Sequence, residues 1–211
     1  MKVRALPIVL AGCVALASCT GPRPLDAHGQ QATTARAAMT QQADQLFAAL
    51  DAGVEVARGI GDGCDAGQHN WKIDDPYDWR CKRVLTRITA TDAPDTTAVI
   101  AQAIESVRAA GCTPDEREVD MVTRYWADYG LRGRTDAGRP YSIDDLPSFT
   151  ASCPGGLRLE TSFRSPAGLA GRVFPLSAQE MIESVAPQVA AVPAGDYVVW
   201  QASAVYHTVA A

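Results

Sequence analysis

The stretch "RVLTRITATDAPDTTAVIAQAIESVRAAG", residues 83–111, changes its pattern halfway along. Its first part, rich in β-branched residues, belongs to a strand predicted from Arg80 to Ala90. Asp92 and Asp95, with Pro94 between them, then start a helix, because a short carboxylate accepts hydrogen bonds from the first free backbone N–H groups. Val99, Ile100, Ala103, Ile104 and Val107 recur on one helical face, and Arg108 and Gly111 close the segment. A half-buried strand leading into an amphipathic helix points to helices packed on a sheet.

Upstream, Met39, Ala43, Leu46, Leu50 and Val54 stand at helical spacing, with Gln41, Gln42 and Asp44 away from them. They predict a helix from about Ala35 to Ala52 that Gly53 stops. Between Gly59 and Asp78 glycine and aspartate are frequent and periodicity is lost, which reads as a loop. Downstream, two patterns compete over residues 114–129. "TPDE" at Thr113 to Glu116 matches a helix cap with proline at the first helical position, and Val119, Val122, Trp126 and Tyr129 would share a helical face. "VDMVTRYWADY" also alternates, with Val119, Met121, Thr123 and Tyr125 on one face, and its β-branched and aromatic content favours a strand. A turn at "RTDAGRP" and a strand from Arg158 to Phe163 would make a meander with it. "SAQE" reads as the cap of a short helix over Met181, Ile182 and Val185, and "DYVVWQASAVYHTV" as a long final strand. The fold class expected is α+β: a mainly antiparallel sheet with helices on one face.

The first residues have a different character. Lys2 and Arg4 precede an uncharged apolar run from Ala5 to Leu16, long enough for a secretory signal and short of the roughly 20 residues of a membrane span. Two cysteines end such a run, Cys13 in "LAGC" and Cys19 in "LASC". Cleavage before Cys13 would leave an apolar core at the lower limit for a signal, so Cys19 is the expected first residue of the mature chain and the expected site of lipidation. The chain then divides into a signal peptide, 1–18, a flexible proline- and glycine-bearing tether, 19–34, and a single domain, 35–211. Loss of Lys2 and Arg4 takes the net charge from -5 to -7, which argues against a nucleic-acid partner, while 47% hydrophobic residues suit a packed core.

Cys64, Cys81, Cys112 and Cys153 remain in the domain. An even number in an exported chain, without a C-x-x-C pair, reads as two disulfides and not as a metal or redox site. Of the three pairings, proximity in sequence favours Cys64 with Cys81 and Cys112 with Cys153.

"LASC" at the end of an alanine-rich signal and "DWRC", a W-x-C element leading into a strand, resemble small lipoproteins of high-GC Gram-positive bacteria. The resemblance implies a lipobox signal, a tether and one compact α+β domain on the outer side of the cell membrane. It transfers no activity.

Residues that carry chemistry are sparse. The sequence has no G-x-S-x-G, H-E-x-x-H or S-x-x-K motif and no phosphate-cradling glycine loop. Of its three histidines, His28 falls in the tether, His207 in the final strand, and His69 near Asp62, Asp65, Asp74, Asp75 and Asp78, which lack calcium-loop spacing. The denser signal is "WKIDDPYDW", where Trp71, Tyr77 and Trp79 alternate with Asp74, Asp75 and Asp78 inside the loop that a Cys64–Cys81 bond would close. Aromatic faces beside carboxylates suit sugar rings or a partner protein; the same tryptophans could instead cover the disulfide. The expectation is a membrane-anchored, non-enzymatic binding or structural protein of the cell envelope, with a cell-wall or envelope-protein partner and no cofactor. The alternative is a secreted hydrolase with a scattered site.

Overall fold

The computed structural model describes residues 29–51, 53–130, 133–135, 138–169, 180–183 and 195–211. The signal, Cys19, His28 and Val185 lie outside them. Among the described residues seven strands form one sheet: β1 (Val54–Ala66), β2 (Tyr77–Ala90), β3 (Thr113–Pro114), β4 (Phe149–Ser152), β5 (Arg158–Arg164), β6 (Glu180–Glu183) and β7 (Tyr197–Ala210). Their order is β3-β4-β5-β7-β2-β1-β6, and every neighbouring pair is antiparallel.

Three helices, α1 (Gln30–Ala49), α2 (Thr96–Ala109) and α3 (Glu116–Tyr125), share one face. Met39, Leu46 and Phe47 of α1 and Val99, Ile100 and Val107 of α2 meet Leu85, Leu159, Phe163, Val198 and Trp200 from the sheet in one apolar cluster. Trp200 is wholly buried, and its indole N–H donates to Thr89 Oγ1 at 3.0 Å, so the largest core side chain leaves no polar atom unmatched. A one-turn helix, α4 (Pro166–Leu169), puts Leu169 against Ala57, Ile88, Tyr197 and Val199 on the opposite face. The α+β expectation holds, with both disulfides as paired above: Cys64–Cys81 joins β1 to β2, and Cys112–Cys153 joins the end of α2 to the end of β4.

The strand–helix stretch that opened the reading folds as expected. Asp95 caps α2, its carboxylate accepting from the Ala98 N–H at 2.9 Å, and Gly111 takes the left-handed conformation, φ +76°, just beyond the helix.

Four expectations need correction. The first helix begins at Gln30, inside the expected tether, and ends at Ala49; Val54 is no part of its buried stripe but the exposed first residue of β1. Half of the expected 59–78 loop is strand, because β1 lies in register with β2 from Gly59 opposite Thr86 to Ala66 opposite Trp79, and that pairing overrides the weak propensity of its glycines. Residues 116–125 are helix, extended by a π-helical turn over Trp126–Gly130. Asp115, not Thr113, is the cap, accepting from the Arg117 and Glu118 N–H groups, while Glu116 and Glu118 in the first turn and Arg124 in the last suit the helix dipole. A strand would have buried Met121 beside Val119; instead Val119 and Val122 are buried and Met121 is half exposed. Last, residues 180–183 are strand, not helix: they pair with Ile60–Asp62 and give β1 a partner on its outer edge. On either side of the expected turn, Arg134 and Pro140 form an isolated antiparallel bridge and the Thr135 N–H donates to Arg139 O at 2.9 Å; Asp136 and Ala137 lie outside the described residues.

Candidate functional site

The β1–β2 hairpin runs past the helices and is cross-linked near its far end. Cys64 and Cys81 are direct cross-strand partners with Cα atoms 4.0 Å apart, so the bond spans two backbones that pairing already holds together. Beyond it the strands close into a tip. Gly67 is required there, since a Cβ at this position would lie 1.8 Å from Tyr77 O; in its absence the Gly67 N–H donates to Asp78 O at 2.8 Å.

The tip is built around two side chains. Asn70 Oδ1 accepts from the N–H groups of Lys72 and Ile73, at 3.0 and 3.1 Å, which shapes the turn that carries Trp71. His69 stands below it with Nδ1 3.0 Å from Asp74 Oδ1, and Nε2 3.2 Å from Tyr77 O and 3.3 Å from Asp78 Oδ1. Both ring nitrogens thus face acceptors alone, and only the imidazolium can donate from both. The hydrogen bond to Asp74, with help from Tyr77 O and the Asp78 charge, raises the His69 pKa above its usual value. Asp75 is engaged as well, its carboxylate accepting from the Gln68 N–H at 2.8 Å.

These contacts separate the three aromatic candidates. Trp71 is 89% exposed at the apex, with the Lys72 ammonium 4.6 Å from its ring centroid and the half-exposed Ile73 beside it. Tyr77 lies under the Arg80 guanidinium at 4.6 Å, and Trp79 is half-buried, opposite Ala66 and Val209. Trp79 therefore lies in the hairpin stem two residues from Cys81, while the ring of Trp71, 89% exposed, meets the Lys72 ammonium. The aspartates do not line a groove with the aromatics: Asp74 and Asp78 hold His69, and Asp75 holds the backbone.

His69 does gather two carboxylates, but on a projecting tip, with its side chain 37% exposed and not in an enclosed pocket. His207 is half-buried as the Cα partner of Cys81. Among the described residues no group of three His, Cys, Asp or Glu side chains is placed to hold a metal ion. A cavity of about 650 Å³ between α2 and α3, over Ile100, Ile104, Val119 and Trp126, contains none of the expected residues.

A second cluster has no counterpart in the sequence reading. Asp62 of β1, 4% exposed, accepts from Arg83 Nη1 of β2 at 2.7 Å and from the Tyr206 hydroxyl of β7 at 2.8 Å, and forms an ion pair with Arg36 of α1, Nε to Oδ2 2.8 Å. Arg36 Nη2 also donates to Tyr206 Oη at 3.0 Å. The four residues come from four elements, and Asp62 sat in what looked like a solvated acidic loop. No spacing along the chain could have flagged them.

The chain matches no protein-family profile, no curated protein and no solved structure.

Proposed function

We propose that this chain is an extracytoplasmic lipoprotein, anchored by lipid on Cys19, that serves the cell envelope as a binding protein whose contact surface is the hairpin tip. The observation that carries the binding role is Trp71, 89% exposed on a turn that hydrogen bonds to Asn70 Oδ1 hold in shape. Leaving a large aromatic surface in water gives the fold nothing, whereas such residues supply much of the energy at binding surfaces. The lipid anchor rests on the apolar run ending in "LASC", and two or more acyl chains meet the requirement for lasting attachment.

The test has two arms. Intact-mass analysis of the mature protein is expected to find an acylated N-terminal Cys19; Cys19→Ala is expected to release the protein or leave an unprocessed precursor, and Cys13→Ala to change nothing. A photoreactive residue replacing Ile73 is expected to crosslink an envelope component, with the yield falling when Trp71→Ala is combined with it. An unacylated terminus would remove the anchor, and absence of any crosslink would remove the contact surface.

A further inference from the structure

The hairpin tip and the start of α1 lie at the same end of the domain. Arg36, in the second turn of α1, is fixed to Asp62 and Tyr206, and Asp62 is two residues from Cys64. Near the other end of the helix, Asp44 meets Arg58 at 2.7 Å and Phe47 O accepts from Arg87, so α1 runs antiparallel to β1. From Arg36 back to Gln30 the helix advances about 9 Å, and from Asp62 to Cys64 the strand advances about 7 Å. The first residue of α1 therefore stands roughly level with the disulfide, and Trp71 projects about 20 Å beyond it at strand rise. Gly29 is ten positions from Cys19, a reach of at most about 35 Å.

We infer that the Trp71 tip is a second membrane contact, with Trp71 and Ile73 entering the headgroup region of the bilayer that holds the Cys19 anchor. This rests on the lipoprotein reading of Cys19. The chemistry of the apex fits a lipid surface. Indole is favoured at the water–hydrocarbon boundary, isoleucine supplies apolar area, and a lysine can rest its stem on apolar surface while its ammonium meets phosphate. The carboxylates near the apex are paired rather than free: Asp74, though its side chain is 88% exposed, and Asp78 face the His69 ring, and Asp75 accepts from the Gln68 N–H. The apex is a protrusion, which can enter an interface, and not a groove that would receive a chain. One tryptophan and one isoleucine would bind a bilayer weakly by themselves. A tether that holds them within tens of ångströms of the surface gives an effective concentration in the millimolar range, at which a weak contact is populated.

The experiment uses the full chain purified from membranes, checked by intact mass, and reconstituted into phosphatidylcholine vesicles with or without phosphatidylglycerol. Some vesicles carry acyl chains brominated near the headgroup. The expected result is that Trp71 emission, taken as the difference between the parent and Trp71→Phe, shifts to shorter wavelength, is quenched by the brominated lipid and becomes protected from acrylamide. Lys72→Glu is expected to reduce the quenching most where phosphatidylglycerol is present. An acylated protein whose Trp71 emission stays acrylamide-accessible and indifferent to brominated lipid overturns the membrane contact while leaving the anchor intact; so does protection of Trp71 by wall material or an envelope protein alone. A mass without acyl chains overturns the anchor, and the tip contact with it.

Discussion

Replacing Asp62 by alanine is expected to be among the most damaging single changes in this domain, for an electrostatic reason. The carboxylate is 4% exposed and is the counter-charge of Arg83, whose side chain is 9% exposed. Its removal leaves a guanidinium in a place where water cannot replace the lost partner, and the Tyr206 hydroxyl loses its acceptor at the same time. Breaking a buried pair from one side costs about 3–5 kcal/mol, a large share of the roughly 5–15 kcal/mol that holds a domain folded. Arg36→Ala removes a cation whose side chain is 24% exposed and leaves Asp62 still neutralised by Arg83, so its cost should be about 1.5–3 kcal/mol, that of a charged hydrogen bond. Urea unfolding with both disulfides intact reads the two directly, and the double variant gives the coupling between them. The same variants test the placement of α1, because loss of the Asp62 cluster should raise hydrogen exchange in its first turns before its last. If Asp62→Ala costs under about 1 kcal/mol, or no more than Arg36→Ala, the cluster does not hold a desolvated charge and the argument fails.

Three further outcomes follow from the hairpin. Trp71→Ala should leave the melting temperature within about a degree or two of the parent, whereas Trp200→Ala should cost about 3–5 kcal/mol; a large loss at Trp71 would mean that it packs on something. Because the folded His69 pKa is raised, the tip contacts are fully present below the unfolded value near 6.5 and are lost as pH rises through the higher folded value. The protection factors of the Asn70 and Asp75 amides, which remove the intrinsic base-catalysed rise in exchange, should accordingly fall across that window and lose that dependence in His69→Ala; a folded His69 titrating below its unfolded value by NMR would contradict the clasp. The chain-entropy relation assigns roughly 3 kcal/mol to Cys64–Cys81, at a sequence separation of 17, and roughly 4 to Cys112–Cys153, at a separation of 41. Serine replacement of the first pair should cost less than replacement of the second, since the shorter loop removes less entropy from the unfolded chain, and equal losses for the two pairs would refute this ranking.

Some of this protein was legible in its residue order because the signals are local. The Asp95 cap and the Val99–Val107 stripe specify α2 within one segment; the β-branched and aromatic content of residues 197–210 specifies β7; and cysteines close in sequence were also close in space. The apolar run ending at Cys19 is likewise a statement that needs no fold. What only the tertiary structure decided depends on partners elsewhere in the chain. Gly59–Ala66 is strand because β2 lies beside it, and Glu180–Glu183 because β1 offers an edge. Residues 116–125 carry both a helical and a strand pattern, and burial of Val119 and Val122 with Met121 outward chose the helix. In the hairpin the sequence placed three aromatics and three acids together without saying which face water. Trp79 was assigned to the stem by its neighbours Ala66 and Val209, and Trp71 to solvent by a turn that only the closed tip creates. Asp62, Arg83, Arg36 and Tyr206 lie furthest beyond sequence reading, because a buried charge is defined by what surrounds it, and those surroundings come from four separate elements.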